Sequence, residues 1–161
     1  MSRLKSYERE VRKKIENLGK LMGFEICEKW APSTLKGKSR QDLYIPQIDI
    51  VWFKKCNRQF VKFLSMFKDQ QVLDPYKDIE KEIVVGFELE LTDRDTKYLL
   101  GDISNLSRLC DYGFIVMKNV ENLVIRAVKA SRAFSILHGA SNVFTMDPDD
   151  LDKITEEVKI S

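Results

Sequence analysis

Apolar residues recur along the chain with two different periods, and the change of period separates helices from strands. A spacing of three to four residues predicts a first helix from about Ser6 to Met22, which Gly23 ends. Alternation predicts strands over 24–30, 43–53 and 83–95, with Pro46 at a bulge or edge of the second strand. Helices are then expected over 96–110 and 121–137, strands over 112–119 and 142–146, and a last helix that Asp147 caps.

This order of elements predicts an α/β fold, in which a mixed sheet of about five strands is flanked by helices. Three strands in succession favour an antiparallel meander, and the strand-helix-strand steps that follow favour right-handed parallel crossovers. No repeat or linker divides the 161 residues, so one domain over 1–161 is expected, with an irregular insertion at about 54–82.

The insertion carries apolar residues at helical spacing: Phe60, Phe63, Leu64 and Phe67. Such a run is typical of internal packing or of a dimer contact, and a stacking platform for nucleic acid is the other interpretation.

Composition narrows the chemistry that the chain can perform. His138 is the only histidine, and the three cysteines lie far apart, which disfavours a zinc site, a disulfide framework and histidine-based catalysis. Carboxylates and lysines must therefore carry any reaction. No apolar run approaches the roughly 18 residues of a membrane span, and the N-terminus lacks the apolar stretch of a secretion signal. We therefore expect a cytoplasmic protein without a membrane partner.

Charge is distributed unevenly along the chain. Residues 1–40 hold 11 Lys and Arg against 5 Glu, a balance of +6, and the remainder holds 16 against 20, a balance of −4. This asymmetry favours a polyanion as partner, although a basic, solvated helix face would give the same pattern. The loop before the second predicted strand carries Lys36, Lys38 and Arg40, which are candidates for contacts with nucleic-acid phosphates.

The third predicted strand carries two acids among apolar residues. Alternation places Glu88 and Glu90 on one face, with Val85, Phe87 and Leu89 on the other. The two acidic side chains would lie about 6 to 7 Å apart, close enough to share a metal ion. An edge strand with a solvated acidic face would show the same alternation.

A further acid, Asp49, lies in the apolar run of the second predicted strand. Alternation places it on one face with Gln47 and Val51, and places on the other face Ile48, Ile50 and Trp52. A lone buried carboxylate is costly, and the strand expected beside it carries the acids at 88 and 90. Hard oxygen ligands of this kind suit Mg²⁺ or Mn²⁺, with the backbone carbonyl of Leu89 completing the set.

The segments "QIDIVW" and "GFELE" resemble the motif of the PD-(D/E)XK nuclease superfamily, the restriction-endonuclease-like fold, over roughly residues 4–146. The resemblance implies a core of helix, three-stranded meander, helix and further strands. It also implies Mg²⁺-dependent hydrolysis of DNA, in which Asp49 is the first acid and Glu88 the second. Members that cut both strands symmetrically work as pairs, so the resemblance further implies a possible homodimer.

The resemblance assigns roles to three more residues. Glu8 matches the acid that many members place on the first helix, near the metal. Glu90 stands where the family has a lysine, and there it would bind a second ion or take the proton. Lys97, on the next helix, would replace the missing positive charge, unless it is an ordinary solvated lysine.

Three hypotheses follow from the sequence. The first is a metal-dependent nuclease that acts on DNA. The second keeps the fold without catalysis, leaving a module for nucleic-acid binding or assembly. The third is an α/β interaction domain whose acidic strand is a coincidence.

Overall fold

The computed structural model describes residues 3–35, 44–67, 76–92, 96–118, 123–139 and 141–160. Within these residues the chain forms an α/β fold with one mixed sheet of five strands, β1 to β5. The strands are Glu25–Trp30, Ile48–Lys55, Lys81–Glu90, Tyr112–Met117 and Val143–Met146. The helices α1 to α5 are Arg3–Leu21, Arg58–Ser65, Thr96–Leu109, Leu123–His138 and Asp150–Ile160. No helix of the described ranges is long and apolar enough to cross a bilayer.

The strands lie in the order in which they occur along the chain, β1-β2-β3-β4-β5. β1 pairs with β2 and β2 with β3 in antiparallel fashion, whereas β3 to β4 and β4 to β5 are parallel. The predicted antiparallel meander and the parallel direction of the crossovers are therefore confirmed, and the right-handedness of the crossovers stays a prediction. β3 is the central strand, so both of its edges are paired with other strands.

Each face of the sheet packs against its own helices. On one face α1 and α5 bury Ile15 and Leu151 against Ile50 and Phe87 of the sheet. On the other face α3 and α4 contribute a second core, whose helical members are Leu99, Ile103, Leu106, Ala127 and Ala130. Gly86 faces this second core, where an added Cβ would overlap the sulfur of Cys110. A side chain at position 86 would therefore push α3 away from β3.

Several boundaries differ from the prediction. β2 begins at Ile48 rather than near 43, and the segment that joins it to β3 is 56–80, shorter than the predicted insertion. Ile48 was expected on the face of Ile50, but it packs in the opposite core together with its β1 partner Trp30. The neighbouring Lys29 of β1 has a positive φ of 48°, so the strand pair is irregular at this point.

The last helix also begins later than its sequence suggests. α5 starts at Asp150, and the Asp147 carboxylate accepts a hydrogen bond from the backbone N–H of Asp149 at 2.9 Å. The acids of this segment therefore serve at the helix start, as expected.

Candidate functional site

The candidate site lies where the ladder between β2 and β3 ends. The last pair of that ladder is Ile50 opposite Phe87, and the same register places Asp49 opposite Glu88. Asp49 Oδ2 accepts a hydrogen bond from the backbone N–H of Leu89 at 3.0 Å. The Asp49 side chain thus lies between the two strands, and its hydrogen bond replaces the next backbone hydrogen bond of the ladder.

Glu88 is the most strongly perturbed acid of this site. Its side chain is buried, with 7% of its surface exposed. Burial raises its pKa to about 9, and the negative charges of Asp49 and Asp102 act in the same direction, while the backbone N–H of Asp49 opposes them. At neutral pH the Glu88 carboxyl group therefore keeps its proton, because the low-polarity surroundings and its acidic neighbours disfavour a second negative charge.

Glu90 lies two residues further along β3 on the same face and is 4% exposed. The expectation that the two acids share a face is thus confirmed. The alternative of a solvated edge strand is wrong, because β3 is central and α3 covers this face.

Arg12 of α1 is the cation that holds Asp49. Its guanidinium nitrogen Nη2 donates to Asp49 Oδ1 at 3.0 Å and to Glu8 Oε1 at 2.9 Å, and Nε also donates to Glu8 Oε1. Glu28 of β1 lies 3.8 Å from the same guanidinium. Burial alone would lower the pKa of Arg12, but the hydrogen bonds and charges of Asp49 and Glu8 outweigh it and raise this pKa. Arg12 therefore stays charged and holds the side chains of Asp49 and Glu8 together.

A second pair of acids adjoins this network. Glu16 of α1 and Glu28 of β1 are hydrogen-bonded through their carboxyl groups, which raises the pKa of Glu16. Glu8, Arg12 and Glu16 follow each other at intervals of four residues along α1, so they form one charged stripe on that helix. The stripe contacts the sheet at the side chain of Asp49.

The donor set of this site suits a hard divalent cation. The acidic side chains of the site offer only oxygen atoms as ligands. Asp49 is in contact with Glu88 as well as with Arg12, so the site has more carboxyl groups than cations. Across the described residues, no group of three or more His, Cys, Asp and Glu side chains is arranged to hold a metal ion. A bound ion would therefore rely on two carboxylates, with main-chain oxygens completing the set.

The predicted site residues divide into three groups. Asp49 and Glu88 come together where the ladder between β2 and β3 ends, Glu90 lies buried on the same face of β3, and Glu8 reaches Asp49 through Arg12. Leu89 contributes its N–H to Asp49, and its side chain lies in the core. The remaining candidates, Lys36, Lys38, Arg40 and the side chain of Lys97, are outside the described part of the chain.

Two participants were missed by the sequence reasoning, Arg12 and Asp102. Arg12 is four residues after Glu8 and next to Val11 of the inward stripe, a spacing that signals an ion pair on a helix. Asp102 lies three residues after Leu99 and four before Leu106, both of which are buried. The spacing places it toward the sheet, and the periodicity of α3 could have identified it.

The fold and this carboxyl site define the class of protein as an α/β domain with buried acids at the end of two central strands. No protein-family model, no curated protein and no solved structure matches the chain.

Proposed function

We propose that this chain is a metal-dependent nuclease that hydrolyses phosphodiester bonds of DNA, built on a restriction-endonuclease-like core. One observation carries the proposal: Asp49 of β2 and Glu88 of β3 bring two carboxyl groups into contact where the strand ladder ends. Two carboxyl groups in contact away from solvent oppose folding. Acids with strongly shifted pKa values are concentrated at functional sites. The order of elements, with a helix before an antiparallel meander and a parallel crossover after it, supports the same proposal.

In this proposal Asp49 and Glu88 hold Mg²⁺ or Mn²⁺, together with the backbone carbonyl of Leu89. A divalent ion in such a site lowers the pKa of water and offsets the charge that develops on a phosphate under attack. Glu88 gives up its proton on binding the ion, so binding is favoured by higher pH. Glu90, buried on the same face, takes the proton of the attacking water or helps to hold a second ion.

Arg12 and Glu8 act as positioning residues. The guanidinium fixes the orientation of the Asp49 carboxylate, and Glu8 in turn fixes the guanidinium through two hydrogen bonds. Lys97, early in α3, would supply the positive charge that the resembled family places two residues after the second acid.

Cleavage assays on duplex, nicked, branched and single-stranded DNA test the proposal. Wild-type chain and the variants Asp49→Asn and Glu88→Gln are compared in Mg²⁺, Mn²⁺ or EDTA. The matched control is Glu82→Gln, an exposed acid at the other end of the same strand. We expect cleavage by wild type and control in the presence of metal, and a loss of about 100-fold or more in the two site variants. Equal cleavage by Glu88→Gln, or none by folded wild type on any substrate, would contradict the proposal.

The ion pair of Arg12 with Asp49 favours a second candidate function. A guanidinium that bonds the first acid can neutralise it without a metal, as expected for a nuclease fold that has kept nucleic-acid binding or assembly but lost catalysis. Under this reading the substitution Glu88→Gln leaves nucleic-acid affinity unchanged. Charge reversal at Lys36, Lys38 and Arg40 would instead weaken an affinity that falls steeply with salt.

A further inference from the structure

Helix α2 is well formed but packs none of its side chains into the core. Asn57 caps it, because its side-chain oxygen accepts hydrogen bonds from the backbone N–H groups of Gln59 and Phe60. No residue of the helix is buried, and Phe60 and Phe63 are 54% and 53% exposed. Of the interpretations that the sequence left open, internal packing does not hold for these two rings, and a dimer contact and a stacking platform stay predictions. A strongly amphipathic helix without a covered face is typical of a binding surface.

The phenyl rings are arranged side by side on this surface. The rings of Phe60 and Phe63 have centroids 6.4 Å apart and planes inclined by only 20°. Phe67 continues the row, edge to face with Phe63 at 5.2 Å. We call these three residues the phenylalanine row. Flat, exposed rings offer faces on which planar aromatic groups of a ligand can stack.

The chain segment that carries the phenylalanine row has charges of one sign. Lys54, Lys55, Arg58 and Lys62 lie between residues 54 and 67, and that range contains no acid. Lys55 is paired with Glu25 of β1, whereas Arg58 and Lys62 are exposed on α2 itself. In a two-fold contact between copies of the chain each α2 would face another α2, so these cations would repel their counterparts. The charge therefore favours a polyanion over a second copy.

A groove beside α2 extends this surface. It has a volume of about 800 Å³ and is bounded by Phe60 and Leu64 on the helix and by Lys81 and Arg108 on the sheet side. Three acids also line it, and the buried one among them, Asp78, is bonded to the indole of Trp30 and to Ser33. The groove thus combines apolar rings with cations, which is the combination that binds unpaired nucleic acid.

We infer that the phenylalanine row stacks unpaired bases of single-stranded DNA, while Arg58 and Lys62 contact its phosphates. This inference rests on the proposed function, since it names DNA with an unpaired segment as the class of substrate. β2 runs from Asp49 to Lys55 between the carboxyl site and α2, a distance of about 20 Å at the usual rise of a strand. A strand bound at α2 would therefore leave the carboxyl site unfilled.

Binding of a fluorescein-labelled oligodeoxythymidine, measured by anisotropy in EDTA, tests the inference without any cleavage. The variants are Phe60→Ala with Phe63→Ala, and Phe60→Tyr with Phe63→Tyr, which keeps the stacking faces. The matched control replaces Ile136 and Leu137 of α4 by alanine, since both are 76% exposed and far from the phenylalanine row in sequence. We expect the double alanine variant to lose about tenfold or more in affinity, with the tyrosine variant and the control close to wild type.

Three results would overturn the inference. One is unchanged affinity of a double alanine variant whose circular dichroism shows a native fold. The second is a dimer of the wild type, seen by sedimentation, that the alanine variant loses, since α2 would then contact a second copy. The third is binding of wild-type chain to anionic vesicles that competes with the oligonucleotide and needs the same two rings. Because Asp49→Asn should leave this affinity unchanged and abolish cleavage, failure of the inference and failure of the proposed nuclease are distinguishable.

Discussion

Replacing Glu88 by glutamine is expected to stabilise the fold at neutral pH when no metal is present. Burial, assisted by the charges of Asp49 and Asp102, raises the pKa of Glu88 from 4.5 to about 9. Between these two values the folded chain holds a proton that the unfolded chain has released, so the free energy of unfolding falls as the pH rises. Below 4.5 both states are protonated, and above about 9 both are ionised. The free energy of unfolding therefore changes with pH only between these two values.

The magnitude follows from the same two values. Each pH unit above 4.5 removes about 1.4 kcal/mol, which amounts to about 3 kcal/mol at pH 7. Glutamine has nearly the shape of the protonated acid and can donate a hydrogen bond as it does, but it cannot ionise in the unfolded chain. For a chain of this length, a gain of that size raises the melting temperature by about 6 to 12 °C.

Urea unfolding followed by circular dichroism at pH 5, 6, 7 and 8, in EDTA, measures the effect. Wild type is compared with Glu88→Gln and with Glu82→Gln, whose acid is exposed on the same strand. We expect the advantage of Glu88→Gln over wild type to grow with pH, while the control follows wild type. A Glu88→Gln variant no more stable than wild type at pH 7, or one with the same advantage at every pH, would refute the reasoning.

Two further substitutions test the ion pair that holds Asp49 and the packing of α3 against β3. Arg12→Gln removes the cation that bonds the half-buried Asp49, and we expect it to lower the free energy of unfolding in urea by about 2 kcal/mol. Gly86→Ala places a methyl group against the sulfur of Cys110, and we expect a loss of about 1 to 3 kcal/mol, measured as a lower melting temperature.

Matched controls accompany both substitutions. Arg9→Gln changes an exposed arginine one turn earlier on α1 and should leave stability within about 0.5 kcal/mol of wild type. Gly101→Ala adds a methyl group where no atom lies within 4 Å, and it should stabilise α3 by about 0.5 to 1 kcal/mol. An Arg12→Gln variant as stable as Arg9→Gln, or a Gly86→Ala variant as stable as Gly101→Ala, would contradict the described packing.

The existence of the strands could be predicted from the sequence because alternation is a local property, and their directions could be predicted from the succession of strands and helices. β3 shows it most clearly, since Val85, Phe87 and Leu89 all pack in one core and the acids lie on the other face. The start of β2 could not be predicted in the same way. Residues before Ile48 also alternate, but strand pairing across the sheet decides where a strand begins, and pairing is not a local property.

The site was predictable as far as its acids are concerned. A carboxylate inside an apolar strand is conspicuous, so Asp49 and Glu88 could be identified from their surroundings. The spacing of Arg12 from Glu8 signals an ion pair on the helix, but the bond of Arg12 to Asp49 could not be predicted, because a helix with many cations does not show which one reaches the sheet. The burial of Glu88 could not be predicted either, because the same alternation occurs in an edge strand with a solvated face. Only the central position of β3 in the sheet distinguishes a buried strand from such an edge strand.

The most direct test of the central claim is the melting temperature at pH 8 as Mn²⁺ is titrated to millimolar concentration. Wild type and Glu82→Gln are predicted to gain about 3 to 6 °C once the ion reaches about ten times its dissociation constant, because an ion that binds only the folded chain stabilises it. Glu88→Gln is predicted to gain nothing, since it lacks one of the two carboxylates. An equal gain in all three chains, or no gain in any of them, would contradict a metal site at Asp49 and Glu88.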